Sequence, residues 1–249
     1  MLSTIYIMWL REVKKFIRSR SRIIGSLVQP LFFFLALGYG LGSVFQAAGQ
    51  GNYLEFVAPG IIGMSLIFGS IFNGMSIIWD RQFGFLKETL VAPVPRSAVM
   101  FGRTLGGATT TTFQGSLVLA LMFIAGFHPA SWALIAPALL VMLLISVMFT
   151  SLGLAVASLF TDVQGFITVV NFLTMPLFLL SGSLFPLQNA PVVLQWAAKA
   201  DPLSYGIDAL RALLINTSHF GLTLDLIILS VLAICFVGLG SHFFSKIEV

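Results

Sequence analysis

Charge is what this sequence has least of. Only 9% of its 249 residues are Asp, Glu, Lys or Arg, against about 25% in a typical soluble domain. So few charged groups cannot build a water-facing surface, and 58% of the residues are hydrophobic. The chain therefore reads as an integral membrane protein. Cysteine is almost missing as well. Cys235 stands alone inside an apolar run, which excludes an internal disulfide. The common signatures of chemistry are also lacking. There is no G-x-x-x-x-G-K-[ST] loop, so ATP is not bound by that route. No H-E-x-x-H or C-x-x-C occurs, and His128, His219 and His242 are scattered, which argues against a metal site. Ser181-Gly182 lacks the first glycine of an intramembrane serine-protease motif, and no mid-span histidine stands ready as its base. Ionisable residues are scarce inside the apolar runs. Asp162 and Asp225 fall near run ends and are read as interfacial, which argues against a proton- or sodium-coupled carrier. Beyond the first 22 residues no basic cluster offers a nucleic-acid surface.

What the sequence does have is long apolar runs. Six reach the roughly 20 residues that a spanning helix needs: 23–45, 57–79, 104–126, 132–160, 163–184 and 222–244. The fourth is long enough to tilt or to project from the bilayer. The link around His128 and Pro129 is so short that the third and fourth spans must form a tight antiparallel hairpin. Lys and Arg placement sets the orientation. Six basic residues precede the first run, four lie between the second and third, and Lys246 follows the sixth; only Lys199 and Arg211 fall on the other side. Both termini are expected in the cytoplasm.

Residues 3–22 place Ile5, Trp9, Val13, Phe16 and Ile17 at helical spacing, with Arg11, Lys14, Lys15, Arg18 and Arg22 opposite. That pattern predicts an amphipathic helix lying on an anionic leaflet, with Trp9 at the headgroup level. The apolar run that follows exceeds the roughly 7–15 residues of a signal-peptide core, which argues against cleavage. The four threonines at 109–112 fit inside a span because a hydroxyl can bond the preceding turn. Packing between helices is their leading reading, and lining a polar route is the alternative. The amides of Asn73, Gln114 and Asn171 are read the same way.

Two segments break the apolar pattern. Residues 80–103 are the one sizeable polar stretch between spans on the terminal side. Phe83, Leu86, Leu90 and Val91 fall at helical spacing before Pro93 and Pro95, which predicts a short amphipathic helix over 82–91. Its polar face mixes acid and base, which favours a protein partner over a lipid surface. The other segment, 181–211, is too apolar for a solvent loop and too broken for a span. Pro186, Pro191 and Pro202 interrupt it, and Lys199, Asp201, Asp208 and Arg211 punctuate its second half. Irregular backbone at membrane depth survives only under cover of protein or a water-filled cavity, so this segment is expected to be a re-entrant element at the outer face. Asp208 and Arg211, three residues apart, are expected to pair.

Together the two segments resemble those of the membrane subunits of type-2 ATP-binding cassette exporters, a family that includes drug, polysaccharide and nodulation-factor exporters. The first motif is carried by Asp80 at an acidic position and by Arg81, Gly84, Leu86, Leu90, Pro93 and Arg96. It departs at Gln82 and Lys87, where the family has acids, at Phe85 for threonine and at Pro95 for serine. The second is carried by Leu180-Ser181-Gly182, Phe185-Pro186-Leu187, Asp201-Pro202-Leu203-Ser204-Tyr205 and the Asp208, Arg211 pair. The likeness runs over essentially the whole length.

The resemblance implies an all-α polytopic membrane protein forming a single domain over 1–249. It has six transmembrane helices, an N-terminal amphipathic interfacial helix over 1–22, a cytoplasmic coupling helix within 80–103 and external re-entrant helices within 185–221. It implies a homodimer or heterodimer of permeases in a prokaryotic cytoplasmic (inner) membrane. A separate ATPase subunit with a Walker A motif would carry ATP and Mg, leaving this chain without a cofactor or catalytic residue of its own. The implied activity is export of a hydrophobic or amphipathic substrate: a drug, a lipid or a lipid-linked glycan. Asp80, Arg81, Phe83, Gly84, Phe85, Leu86, Leu90, Pro93 and Arg96 would form the ATPase-coupling interface. Ser181, Gly182, Phe185, Pro186, Asp201, Pro202, Tyr205, Asp208 and Arg211 would form the external gate. A membrane anchor or sensor without transport is the alternative from another class.

Overall fold

Residues 53–72 hold a single charge, Glu55, and are apolar all round; a helix of that kind belongs inside a bundle. In the computed structural model, which describes residues 1–47, 51–91, 93–187 and 190–247, this stretch is the central helix. The order is α1 (Leu2–Arg18), α2 (Arg20–Gly40), α3 (Gly42–Ala47), α4 (Tyr53–Phe72), α5 (Met75–Gln82), α6 (Phe85–Val91) and α7 (Arg96–Ile124). A 3-10 turn at Trp132–Leu134 leads into α8 (Ile135–Ser158), followed by α9 (Val163–Leu180), α10 (Val192–Ala200), α11 (Pro202–Ile215) and α12 (Leu222–Ser245). No strand occurs among the described residues. Among the described residues, six helical segments are long and apolar enough to cross a membrane.

The central helix α4 packs against α2, α7, α8, α9 and α11, and α12 lies along α8. Burial follows that order. The apolar window of the α4–α5 span is 72% buried, whereas those of α2 and α12 are 17% buried and that of α9 is 22%. The three outer helices expose side chains such as Phe32, Phe172 and Ile234, as lipid-facing helices do. Small residues set the tightest crossing. A Cβ on Gly74 would lie 2.3 Å from the Gly153 carbonyl, and one on Gly153 would lie 2.5 Å from that of Ile71. Backbones in lipid approach this closely only at such residues.

The boundaries differ from the sequence reading in several places. The first run stops being one helix at Gly40, where Leu41 separates α2 from α3. The second run begins four residues early and is interrupted at Asn73-Gly74, where α4 gives way to α5. Little of 80–103 is loop, because α5 continues to Gln82 and α7 starts at Arg96. At about 1.5 Å per residue, the 29 residues of α7 exceed the roughly 30 Å hydrocarbon core, so this helix projects from the bilayer. The short amphipathic helix occupies Phe85–Val91 and starts three residues later than predicted.

The N-terminal helix forms but ends at Arg18, leaving Arg20 and Arg22 in α2, and part of its apolar stripe meets protein. It lies along α7, where Gly102 faces Ile5 and Met8, and Gly106 faces Trp9 and Glu12. Trp9 Nε1 donates to Thr109 Oγ1 at 3.1 Å, so its polar tip is tied to the threonine run and not to headgroups. Phe16 is buried and meets Phe113 edge-on. Tyr6, Ile7 and Ile17 remain exposed.

Candidate functional site at the two ends of the bundle

The end that carries both termini is organised around Asp80. As the one acid between Glu55 and Glu88, it sits at the edge of an apolar run, where an unpaired carboxylate is costly. The fold buries it to 4% exposure and gives it two arginines. Arg11 of α1 donates to both carboxylate oxygens at 2.8 and 2.9 Å, and Arg103 of α7 donates to Oδ2. Three helices are thereby clamped by one carboxylate. Arg103 is 2% exposed, and its Nε and Nη1 have no partner. Trp79 carries the Lys15 ammonium over its ring at 5.7 Å.

Beyond this clamp the chain turns at Gly84, whose φ of +81° suits glycine, and enters α6. Leu86 is fully buried and pins the helix to the bundle. Phe83, just before that turn, and Phe85 and Val91 of α6 are 72%, 52% and 84% exposed, so the 83–91 segment turns apolar side chains outward. Pro93 is exposed, and Arg96 donates from Nη1 to the carbonyls of Ser245 and Ile247 at 2.7 and 3.1 Å, fastening the end of α12. The side chain of Leu90 lies outside the described residues. Of the residues assigned to this end, Phe83 and Phe85 are thus presented at the surface, while Asp80 and Leu86 are interior.

At the other end the prolines act as the sequence suggests. Pro191 caps the start of α10, and Pro202 opens α11 at a position that needs no backbone donor. Asp201 caps α11, its Oδ1 accepting from the Leu203 N–H at 2.8 Å. Burial pushes its carboxyl up to about 7, opposed by that backbone hydrogen bond. Nearly every residue from Leu203 to Leu214 is buried, so α11 is held within the bundle. Tyr205 donates to the Lys199 carbonyl at 2.7 Å and packs on Phe220. Ser181 and Ser183 both donate to the Phe178 carbonyl, which ends α9.

The expected Asp208–Arg211 pair does not form. Asp208 instead accepts from Ser218 Oγ and from the backbone N–H groups of His219 and Phe220, at 2.8–2.9 Å. Arg211 donates from Nη2 to the carbonyls of Gly182 and Ser183 at 2.8 and 3.2 Å, and its guanidinium lies 4.0 Å from the Phe56 ring centroid. Both side chains found closer satisfaction in the chain segments above and below them. Burial pulls the Arg211 guanidinium down to about 10, opposed by the nearby Asp208 carboxylate. Asp225, read as interfacial, lies in the first turn of α12, where it is fully buried beside the Asp208 carboxyl. Gly182 has a φ of +71°, and a Cβ there would come within 2.6 Å of Leu187. A cavity of about 280 Å3 lies between these pieces, with Ser181, Pro186, Asp208, Arg211 and His219 in its wall. Phe185 is half-buried.

The sequence reading missed Arg11 and Arg103 as partners of Asp80, placing Arg11 on the polar face of the N-terminal helix and counting both toward orientation. A lone acid leaving an apolar run was the available signal, since it must find a counter-charge. Phe56 beneath Arg211 and the 218–220 cradle of Asp208 carried no signal that spacing could reveal. No group of three or more potential metal ligands occurs among the described residues.

These features define a polytopic α-helical membrane protein whose two specialised ends lie at opposite mouths of one bundle. The chain belongs to the ABC-2 type transporter family, whose family model matches residues 3–215. It is 28% identical over 196 residues to nodulation protein J of Rhizobium leguminosarum bv. trifolii, covering 78% of this chain and 74% of that protein. It is 29% identical over 209 residues to inner membrane transport permease YadH of Escherichia coli K12, covering 82% of this chain and 79% of that one. The chain is therefore a permease-type membrane subunit, and its family works in general with a partner ATPase subunit.

Proposed function

We propose that this chain is the membrane subunit of an ATP-driven exporter, moving a hydrophobic or amphipathic substrate outward across a cytoplasmic membrane with both termini inside. The observation that carries this reading is the outward apolar side of the 83–91 segment, with Phe83, Phe85 and Val91 exposed next to the anchored Asp80 clamp. A short helix seated in a partner's groove passes rigid-body motion to the spans that flank it. Here those are α4–α5 and α7, the helices around the core. The basic residues gathered on the same side support the orientation. The α10–α11 end, with its cavity, is then the exit mouth.

The test is association. Phe83→Asp with Phe85→Asp should abolish co-purification of the chain with its co-expressed ATPase subunit. Insertion and folding should be kept, because exposed positions shift stability by only about 0.5 kcal/mol. Undiminished co-purification would overturn the assignment of α6. Leu86 is unsuitable for this test, since an aspartate at a fully buried site would disrupt the fold itself.

A further inference from the structure

A second polar feature lies away from both ends. Between α2, α4 and α7 runs a crevice of about 230 Å3, walled by Arg22, Gln29, Ser65 and Gln114 together with Met64 and Phe68. Polar groups facing a lipid-embedded crevice need hydrogen-bond partners that hydrocarbon cannot supply. The Gln114 amide is in that position: the residue is 8% exposed, and its side chain has no hydrogen-bond partner among the described residues. Pro30 adds an acceptor, because it cannot donate to the Ser26 carbonyl one turn back.

Arg22 distinguishes this crevice. Arg11 and Arg103 are spent on Asp80, Arg96 on the carbonyls after α12, and Arg211 on its carbonyl cage. Arg22 gives one N–H to Asn73 Oδ1 at 2.7 Å, and Asn73 is itself fixed by donating to the Gly107 carbonyl and Thr111 Oγ1. Glu12 acts on Arg22 electrostatically but forms no ion pair with it. The guanidinium is therefore held from behind by a neutral amide, on an exposed residue that lines the crevice. Such a fork matches a phosphate ester.

We propose that this crevice binds the anionic head of a phosphate-bearing lipid, with Arg22 as its counter-charge and the acyl chains left in the bilayer. Size supports a head and not a whole molecule, since pockets that engulf a drug-sized ligand measure roughly 300–1,000 Å3. Depth supports it too. Gln29 lies two turns along α2 from Arg22, about 10 Å deeper at the helical rise, so its amide and that of Gln114 can donate to ester carbonyls below the phosphate. A resident phospholipid and a transported phosphate-linked glycolipid share this chemistry. The site requires only the membrane fold, so its failure would leave the export reading standing.

The full chain, purified in detergent, is incubated with equal amounts of phosphatidylglycerol and phosphatidylcholine of identical acyl chains, and retained lipid is counted by native mass spectrometry. Wild type should favour phosphatidylglycerol, and Arg22→Gln should reduce that preference at least fivefold. Gln29→Trp, at an exposed position on the wall, should block retention while leaving every charge in place. It also serves if Arg22→Gln folds poorly. Lys14→Gln, on the exposed side of α1, should change nothing. An unchanged preference in both crevice variants, or an equal loss in Lys14→Gln, would overturn the proposal. Lipid extracted from protein purified from its native membrane then identifies the source. A glycerophospholipid depleted in Arg22→Gln supports a resident lipid, and a phosphate-linked glycolipid depleted there supports cargo. No phosphorus-containing lipid above the level of Arg22→Gln would overturn the site.

Discussion

Short helices mark both ends of this bundle, and they are held in opposite ways. At the α10–α11 end, polar side chains are turned inward onto the chain itself: Asp208 onto the 218–220 backbone, Arg211 onto the 182–183 carbonyls, Tyr205 onto Lys199. At the α6 end the buried Leu86 holds a seven-residue helix whose Phe85 and Val91 face out. The first arrangement fixes geometry, and the second presents a surface. Charges and prolines in a membrane protein therefore need not mark where partners bind. Here two charged motif residues, Asp80 and Arg211, are buried and bonded to groups of the chain itself, and the exposed phenylalanines are the candidates for contact.

The comparison can be broken most forcefully at the clamp. Asp80→Ala leaves Arg103 buried without its counter-charge and should destabilise the protein by about 3–5 kcal/mol. Adding Arg103→Met should restore most of that loss, as read by thermal unfolding in detergent. A double variant no better than the single would show that the clamp is not a coupled unit. Arg211→Ala should come next, at about 2–3 kcal/mol, because it strips the donor from two buried carbonyls. Arg211→Lys should recover little, since an ammonium cannot both span those carbonyls and lie flat on Phe56.

A smaller contrast separates two glycines. Both have positive φ, which costs an L-residue about 1–2 kcal/mol. Gly182→Ala meets the Leu187 side chain as well, whereas a Cβ at Gly84 meets nothing within 4 Å. Gly182→Ala should therefore lower the melting temperature more than Gly84→Ala; the reverse order would mean that the 182–187 packing is loose. The last contrast is pH-dependent. Burial raises the Asp201 carboxyl from 3.8 to about 7, so between those values the folded protein keeps a proton that the unfolded chain has lost. Stability should fall as pH rises across that window and level off above it. Asp201→Asn keeps the cap on α11 and should flatten the slope, as melting curves between pH 5 and 8 would show.

Much of this architecture was legible in the sequence because membrane insertion is governed by local hydropathy. The six runs became spanning segments, and Pro191 and Pro202 marked the starts of α10 and α11. The break at Asn73-Gly74 was not legible, because it depends on the approach of Gly153, some 80 residues further along the chain. The Asp208–Arg211 expectation failed for a related reason. Helical spacing placed the two within reach, but spacing says nothing of what other segments offer each of them. At the α6 end, the period of Phe83, Leu86 and Val91 predicted an amphipathic helix but could not say which of its apolar residues would be covered.

By itself, then, the sequence determined the membrane class, the number of spans, the positions of both interrupting segments and the family. Each of these rests on composition, periodicity or motif, which are properties of neighbouring residues. Only the tertiary structure decided that Asp80 serves Arg11 and Arg103, that Arg211 serves two carbonyls, and that Arg22, held by Asn73, lines a crevice. A buried charge must find partners within a few ångströms, and in a helical bundle those partners come from segments that are distant along the chain.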